Sequence, residues 1–211
     1  METPVRRLEE KKRETRKIRS GKDMDFAKML DRIKKILLTP KDEWPIIARE
    51  RLGLAKVLTT WLLPLSVIPA AAALVGWSAL GISWGIKQAV LQIVVTIGGA
   101  YITAFIVNAL AEKYASHKDQ DQAFALIAYS YTPVCLGGIF QLIPSLAVIG
   151  SLIGLYGLYL LYIGLPPMMK TPPDKNTGYF VVSLLCVIGV FIVLSVALTA
   201  VLTTLLFAGI R

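Results

Sequence analysis

The fold of this 211-residue chain is decided by residues 123–165, which read AFALIAYSYTPVCLGGIFQLIPSLAVIGSLIGLYGLYLLYIGL. This stretch contains no Asp, Glu, Lys, Arg or His. A bilayer core of about 30 Å takes about 20 helical residues, so the stretch is long enough to cross a membrane twice. Pro144 and Ser145 interrupt it near the middle, since proline stops a helix and serine caps one. We therefore predict a transmembrane hairpin with almost no chain outside the membrane between its arms.

The composition of the whole chain supports a membrane protein with a basic amino-terminal part. Hydrophobic residues make up 55% and charged residues 18%, whereas a soluble domain is about a quarter charged. Residues 1–56 hold 17 of the 23 Lys and Arg. A basic segment on an apolar body indicates contact with anionic lipid headgroups and argues against nucleic acid as a partner. Cys135 and Cys186 fall inside apolar runs, which favours small buried residues over a disulfide.

The first 56 residues divide into a tail and an amphipathic segment. Residues 1–24 mix charges of both signs with few large apolar residues, which predicts a disordered cytoplasmic tail and not a signal peptide. Residues 25–56 form the amphipathic segment. Large apolar residues recur at helical spacing over 25–38, which predicts a helix. Its basic residues are candidates for contact with the lipid surface: Lys28, Arg32, Lys34 and Lys35.

The position of this amphipathic helix stays open between two alternatives. It can lie in the membrane interface, or it can pack on the cytoplasmic loops of the same protein. Thr39 is then expected to cap a second helix whose first residue is Pro40. We expect Trp44 at the boundary between water and lipid, where indole rings concentrate, and include it among the lipid-surface contacts.

Five apolar runs follow and form the predicted membrane domain, residues 57–211. The predicted spans are about 57–75, 89–111, 123–142, 146–165 and 179–210. We expect kinks in the first span at Pro64 and Pro69. The last run is longer than one crossing needs, so it should tilt or protrude. The predicted fold is therefore an all-α membrane protein with five transmembrane helices and an N-terminal amphipathic cytoplasmic helix.

The distribution of Lys and Arg predicts the orientation. With five spans, one side of the membrane carries 21 of these residues and the other carries 2. Because basic residues concentrate on the cytoplasmic side, we expect the amino terminus inside and the carboxyl terminus outside. The expected location is a prokaryotic cell (inner) membrane.

The predicted spans lack the residues that membrane-embedded enzymes need. They contain no ionisable residues of the kind that mark metal sites or ion paths. Ser130, Ser145, Ser151 and Ser183 have no histidine in the apolar runs to activate them. His117 lies in a charged loop without further ligands at metal-binding spacing. We therefore predict no catalytic, cofactor-binding or metal-binding residues, no cofactor and no enzymatic activity.

Small residues at helical spacing predict close contacts between helices. In the fourth span they occupy one face of the helix. Small residues let helix backbones approach each other closely in lipid, so this face is expected to pack against another helix. In the third span Pro133 removes a backbone hydrogen bond a turn before two glycines. Packing within the chain is favoured over oligomerisation, although a homo-oligomer or another membrane protein as partner stays open. The candidate packing or partner-contact residues are Pro133, Gly137, Gly138, Gly150, Gly154 and Gly157.

The order of these features resembles the Yip1 family, in particular its bacterial and archaeal branch. An amphipathic helix runs into LLTPKDEWPII and five spans follow, with YTP in the third, a proline-centred turn and a Gly/Tyr-rich fourth. The resemblance covers roughly residues 28–207. It implies a polytopic membrane protein with a cytoplasmic amino terminus. Eukaryotic relatives bind prenylated Rab GTPases, but their DLYGP motif is missing here, so that activity does not carry over.

Two functions are compatible with these features. The first is membrane organisation or scaffolding through helix–helix and lipid contacts, without catalysis. The alternative is a transporter or permease component for a neutral or apolar solute. A polar cavity at mid-membrane lined by Tyr129, Tyr131, Thr132 and Gln92 would favour transport, and a closed, glycine-packed interior would favour the scaffold. An intramembrane hydrolase ranks well below both.

Overall fold

The computed structural model describes residues 27–208, and all regular structure within them is helical. The chain divides into two units, Met1–Glu43 and Trp44–Arg211. The predicted tail at 1–24 and the last three residues, 209–211, lie outside the described residues. The boundaries that we drew from composition, after residues 24 and 56, stay predictions.

The first unit contains helix α1, residues 27–38, within the predicted amphipathic segment. At its end the Thr39 hydroxyl donates to the carbonyl of Lys35, 3.2 Å away. The next helix, α2, is Pro40–Glu50, and the backbone N–H of Asp42 donates to the Thr39 carbonyl at 3.1 Å. The second helix begins at Pro40 as predicted, and the carbonyl of Thr39 accepts its first backbone hydrogen bond.

The second unit contains four helices that are long and apolar enough to cross a membrane. They are α3, Leu54–Leu80; α4, Ile82–Tyr114; α5, Gln120–Leu142; and α6, Ala147–Met169. They contain the first four predicted spans except for one residue at the start of the fourth. The four apolar helices confirm the prediction of an all-helical membrane protein at this level.

The connection between α3 and α4 is shorter than predicted. Gly81 joins the two helices with a φ of 121°, a conformation that favours glycine because it has no Cβ. Helix α4 therefore begins about two turns before the predicted span. Lys87, which falls between the first two predicted spans, lies inside α4 with its Nζ 5.7 Å from the centre of the Trp84 ring.

Helix α3 adapts locally to its two prolines. Leu58–Leu62 forms a turn of π-helix, and the N–H of Leu63 donates to the carbonyl of Leu58. Pro64 follows directly. It has no N–H for the regular helical hydrogen bond, and the wider π-helical turn lies just before it. Pro69 lies inside the α-helical part, Leu63–Trp77.

Helices α5 and α6 are the arms of the predicted hairpin. Helix α5 is interrupted at Tyr131 and restarts as Thr132–Gly137, so that Pro133 occupies a first turn, where no N–H is required. It ends in a 3-10 segment, Gly138–Leu142. Ile143 is extended and Pro144–Leu146 forms a short 3-10 turn before α6. The turn lies where the proline predicted it.

The last helix, α7, is Pro173–Ala208. Lys170 closes α6 in the left-handed conformation, with a φ of 53°, two residues before Pro172. The predicted fifth span, 179–210, begins inside α7 and extends past the end of the described residues. The fifth crossing therefore stays a prediction.

Candidate functional site

The arms of the hairpin touch backbone to backbone at two places. A Cβ added at Gly150 would collide with the carbonyl oxygen of Gly137, and one added at Gly137 would lie 2.6 Å from the carbonyl oxygen of Gly150. A Cβ at Gly157 would lie 2.6 Å from the carbonyl oxygen of Ser130. Any side chain at these glycines would hold the two backbones apart.

The other predicted packing residues take different positions. Gly138 faces helix α3, where the ring of Pro69 fills the space that its side chain would occupy. Pro133 is buried. Gly154 shares a helix face with Gly150 by spacing, yet its Cβ would meet the Val134 Cγ2 at 3.5 Å, an ordinary contact distance. Gly154 is therefore not a point of closest approach between the arms.

Trp44 is fully buried, so the prediction that it contacts the lipid surface was wrong. Its six-membered ring lies where a side chain on Gly164 would be, with the Trp44 Cζ2 2.8 Å from the added Cβ. The ring of Tyr129 meets Trp44 edge-on at 6.4 Å and lies 4.5 Å from the ring of Trp61. The glycine on α6 creates the space for this indole, which the local sequence around Trp44 does not reveal.

Four basic residues of α1 were predicted to contact lipid headgroups. Lys28, Lys34 and Lys35 are exposed. The Lys35 Nζ lies 2.7 Å from the Asp31 carboxylate, and the hydrogen bond between them raises the pKa of Lys35. Arg32 forms an ion pair with Glu43 at 3.3 Å. Two of the four cations therefore have acidic partners within the first unit.

The ends of the helices near the 112–122 and 166–178 connections are linked by polar contacts. The Asp119 carboxylate caps α5 by accepting from the N–H groups of Asp121 and Gln122, both at 3.1 Å. Asp121 in turn accepts from the N–H of Leu54 at 2.9 Å, which ties the start of α3 to the start of α5. His117, the only histidine, donates through its backbone to the carbonyl of Met169 at 2.7 Å.

Tyr179 joins α7 to α4 at the same end. Its hydroxyl donates to the carbonyl of Val107, and its ring stacks on that of Tyr114 with the centres 5.1 Å apart. Ser116 and Thr171 share a buried hydrogen bond of 2.9 Å between the two connections. The sequence offered no signal for these contacts, because each joins positions far apart in the chain.

A cavity of about 110 Å³ lies between helices α4, α5, α6 and α7. Ser130 and Gly157, on its wall, stand near the middle of α5 and α6, so the cavity lies halfway along these two apolar helices. Most of its lining is aliphatic. Four hydroxyl-bearing residues complete the wall: Thr103, Ser130, Tyr131 and Ser183.

The lining differs from the polar cavity that we associated with transport. Tyr131 is on the wall, but Tyr129, Thr132 and Gln92 are not. The Thr132 hydroxyl is buried and donates to the Tyr129 carbonyl at 2.7 Å. Ser130 and Ser183, which the sequence showed only as serines without a histidine to activate them, lie on this wall.

No group of three or more His, Cys, Asp or Glu side chains that could hold a metal ion is found between residues 27 and 208. The polar groups of the candidate site are hydroxyls and carbonyls. They can donate and accept hydrogen bonds with a neutral molecule.

Comparison with known proteins gives a consistent result. The Yip1 domain model matches residues 34–207. The chain is 27% identical over 179 residues to Inner membrane protein YohC of Escherichia coli K12, covering 77% of this chain and 91% of YohC. YohC of Escherichia coli O6:H1 gives the same values. No solved structure matches the chain. The family match covers most of the described helices, and the chain therefore belongs to the Yip1 family.

Proposed function

We propose that this protein organises the membrane through contacts of its helices with neighbouring helices and lipids, and that it catalyses no reaction. The proposal includes five spans, a cytoplasmic amino terminus, an external carboxyl terminus and a prokaryotic inner membrane. The name of the relative, Inner membrane protein YohC, supports the location. The 21-to-2 distribution of Lys and Arg supports the orientation.

The observation that carries the proposal is an exposed seam on helix α4. Its residues alternate in steps of three and four along the helix and lie on one face, as in helices that pair in a left-handed crossing. Exposed fractions are 49% for Leu91, 59% for Val94, 50% for Tyr101 and 59% for Phe105. Gly98 lies at the centre, with no atom within 4 Å of an added Cβ. We call these five residues the α4 seam.

The hairpin glycines and the α4 seam have opposite roles in the proposal. Gly137, Gly150 and Gly157 are used within the chain, where backbone contacts hold α5 against α6. Gly98 has no such contact, so its small size is available to a helix from outside. A second copy of the chain is the partner that we assign to the seam. Lipid tails cover the seam when no partner is bound.

The test is association of the full chain in liposomes. Copies labelled with a donor or an acceptor fluorophore should show energy transfer that falls as the ratio of lipid to protein rises. Gly98→Leu should abolish the close approach and lower the transfer at every ratio, because a large side chain at the crossing separates the backbones. The fold of the Gly98→Leu variant should be unaffected, since no atom lies within 4 Å of an added Cβ at this position.

Gly189→Leu is the matched control. Gly189 also has no atom within 4 Å of an added Cβ, but it lies on α7 and outside the seam. This variant should associate as the unmodified chain does. Equal energy transfer in the two variants, or none in the unmodified chain at any ratio, would contradict the proposed association through α4.

A second candidate function is passage of a neutral solute, which the hydroxyl-bearing cavity favours. Its lining contains no Asp, Glu, Lys, Arg or His, so a charged solute would find no partner there. Proteoliposomes should then take up glycerol faster than protein-free liposomes do. Equal rates of swelling in glycerol would leave organisation of the membrane as the better proposal.

A further inference from the structure

Two buried hydroxyls on the cavity wall do not follow the usual behaviour of serine in apolar helices. Ser130 and Ser183 are 3% and 1% exposed, and neither Oγ has a hydrogen-bond partner among the described residues. Hydroxyls inside helices commonly donate to the carbonyl three or four residues earlier. Other hydroxyls of this chain do so: Thr59, Thr60, Ser66, Ser78, Thr103, Thr132 and Ser151.

A third hydroxyl of the wall, that of Tyr131, has an oxygen that is free to accept a hydrogen bond. The Thr103 hydroxyl donates to the carbonyl of Gly99 at 2.7 Å, because a carbonyl cannot donate. The 3.4 Å contact between Thr103 and Tyr131 must then have the Tyr131 hydroxyl as its donor. The phenolic oxygen of Tyr131 keeps its acceptor capacity. Residues of the wall therefore carry two buried hydroxyls without a partner and one oxygen, that of Tyr131, with free acceptor capacity.

The rest of the lining limits the ligand to a neutral, largely apolar molecule. Its other side chains are aliphatic, among them Ile127, Leu161 and Leu184. A buried charge without a partner is strongly unfavourable in such surroundings. The three hydroxyls are enough partners for one water molecule, which needs two to four, and an alcohol hydroxyl can take the same place while its carbons contact the aliphatic rest of the wall.

The volume limits the size of what can be enclosed. An apolar cavity of about 150 Å³ in another protein holds benzene, which has about six non-hydrogen atoms. By the same proportion, a cavity of about 110 Å³ holds about four. The cavity is partly open and includes Val134, which is 41% exposed, so a longer chain can extend outward beside it.

We propose that this cavity is a binding site for a neutral alcohol whose hydroxyl group bonds to Ser130 and Ser183 and whose first carbons fill the space between α4, α5, α6 and α7. The alcohol hydroxyl accepts from one serine and donates to the other or to Tyr131. The inference goes beyond membrane organisation and does not depend on it. Two sources share this chemistry, namely an alkanol dissolved in the bilayer and a small polyol from the aqueous phase.

The experiment uses the full chain in lipid nanodiscs and a diazirine-bearing hexanol as the photoreactive probe. After illumination, the labelled peptides are identified by mass spectrometry at increasing probe concentration. Labelling should saturate in the segments that line the cavity, residues 127–134, 154–161 and 183–187. Unlabelled 1-butanol should compete if the ligand comes from the bilayer, whereas glycerol should compete if it comes from water.

Variants that remove only a hydroxyl separate binding from folding. Ser130→Ala and Ser183→Ala should each raise the probe concentration needed for half-saturation about fivefold, since one hydrogen bond contributes about that factor. Their thermal stability without probe should be unchanged or slightly higher, because each loses a buried hydroxyl that has no partner in the chain. Ser151→Ala is the control, because Ser151 is exposed and bonds to the Ala147 carbonyl.

The outcomes are distinct. Saturable labelling that weakens in the two cavity variants and is unchanged in Ser151→Ala supports the site. Labelling that rises linearly with probe, or that spreads over the exposed residues of α4, overturns it. Equal half-saturation in all variants overturns the assigned role of the two serines. If neither 1-butanol nor glycerol lowers the labelling, the probe is not held through its hydroxyl group and the proposal is wrong.

Discussion

Replacing Gly157 by alanine tests the backbone contact between the hairpin arms with the smallest possible change. The added Cβ would lie 2.6 Å from the carbonyl oxygen of Ser130, whereas ordinary contacts begin at 3.4 Å. One arm must therefore move by about 0.8 Å, the difference between the two distances. Overpacking of this kind typically destabilises a protein by about 1–3 kcal/mol. Alanine also gains about 1 kcal/mol of helix propensity over glycine, which acts in the opposite direction.

Gly98→Ala is the control that isolates the steric part. Both glycines lie inside helices, so the gain in propensity is similar, but an added Cβ at Gly98 meets no atom within 4 Å. The difference in free energy of unfolding between the two variants should therefore be about 1–3 kcal/mol, with Gly157→Ala the less stable. Gly154→Ala, with its nearest contact at 3.5 Å, should behave like the control.

The measurement is unfolding of the full chain in mixed micelles, followed by circular dichroism as the denaturing detergent is increased. A monomeric preparation is needed so that association through α4 does not contribute. Equal midpoints for Gly157→Ala and Gly98→Ala would refute the backbone contact. A midpoint for Gly154→Ala as low as that for Gly157→Ala would show that the arms touch along the whole glycine face.

Three further predictions concern the rest of the chain. Reporter fusions after Lys118 should be cytoplasmic and those after Arg211 external, because of the distribution of basic residues; a cytoplasmic carboxyl terminus would mean that α7 does not cross the membrane. A peptide of residues 24–38 should bind anionic vesicles, gain helicity on binding and dissociate as salt rises. Vesicle sedimentation measures the binding, and a peptide that stays in solution at low salt would contradict this prediction. Asp119→Ala should lower the free energy of unfolding by about 1 kcal/mol through loss of the α5 cap, while Asp119→Asn should retain most of it in the same denaturation assay.

The four apolar helices were predictable because hydropathy reports directly on the solvent around a helix. In a small chain without a soluble core to bury it, a run of about 20 apolar residues is expected to cross the membrane. Pro144 marks the turn through a local property, since its ring stops a helix. The start of α4 was less predictable. Gly81 alone connects α3 to α4, so α4 begins early enough to include Lys87.

The positions of individual side chains depended on partners far away in the chain. Trp44 follows a basic segment and precedes an apolar one, which indicated an interfacial indole, but Gly164 on α6 provides a buried place for it. Helical spacing placed Gly154 on the same face as Gly150 and Gly157 without showing where the arms cross. The cavity was not predictable from Ser130 and Ser183, because a hydroxyl in an apolar helix usually bonds to its own backbone.

The two backbone contacts of the hairpin restrict how the protein can change shape. They join Gly137 to Gly150 and Ser130 to Gly157, so the contact positions are seven residues apart on both arms. Seven helical residues correspond to a rise of about 10.5 Å. A smaller sliding movement would bring a larger side chain against a carbonyl oxygen. The two contacts therefore fix the arms against sliding past each other. Any rearrangement that keeps both contacts must move the hairpin as one rigid body.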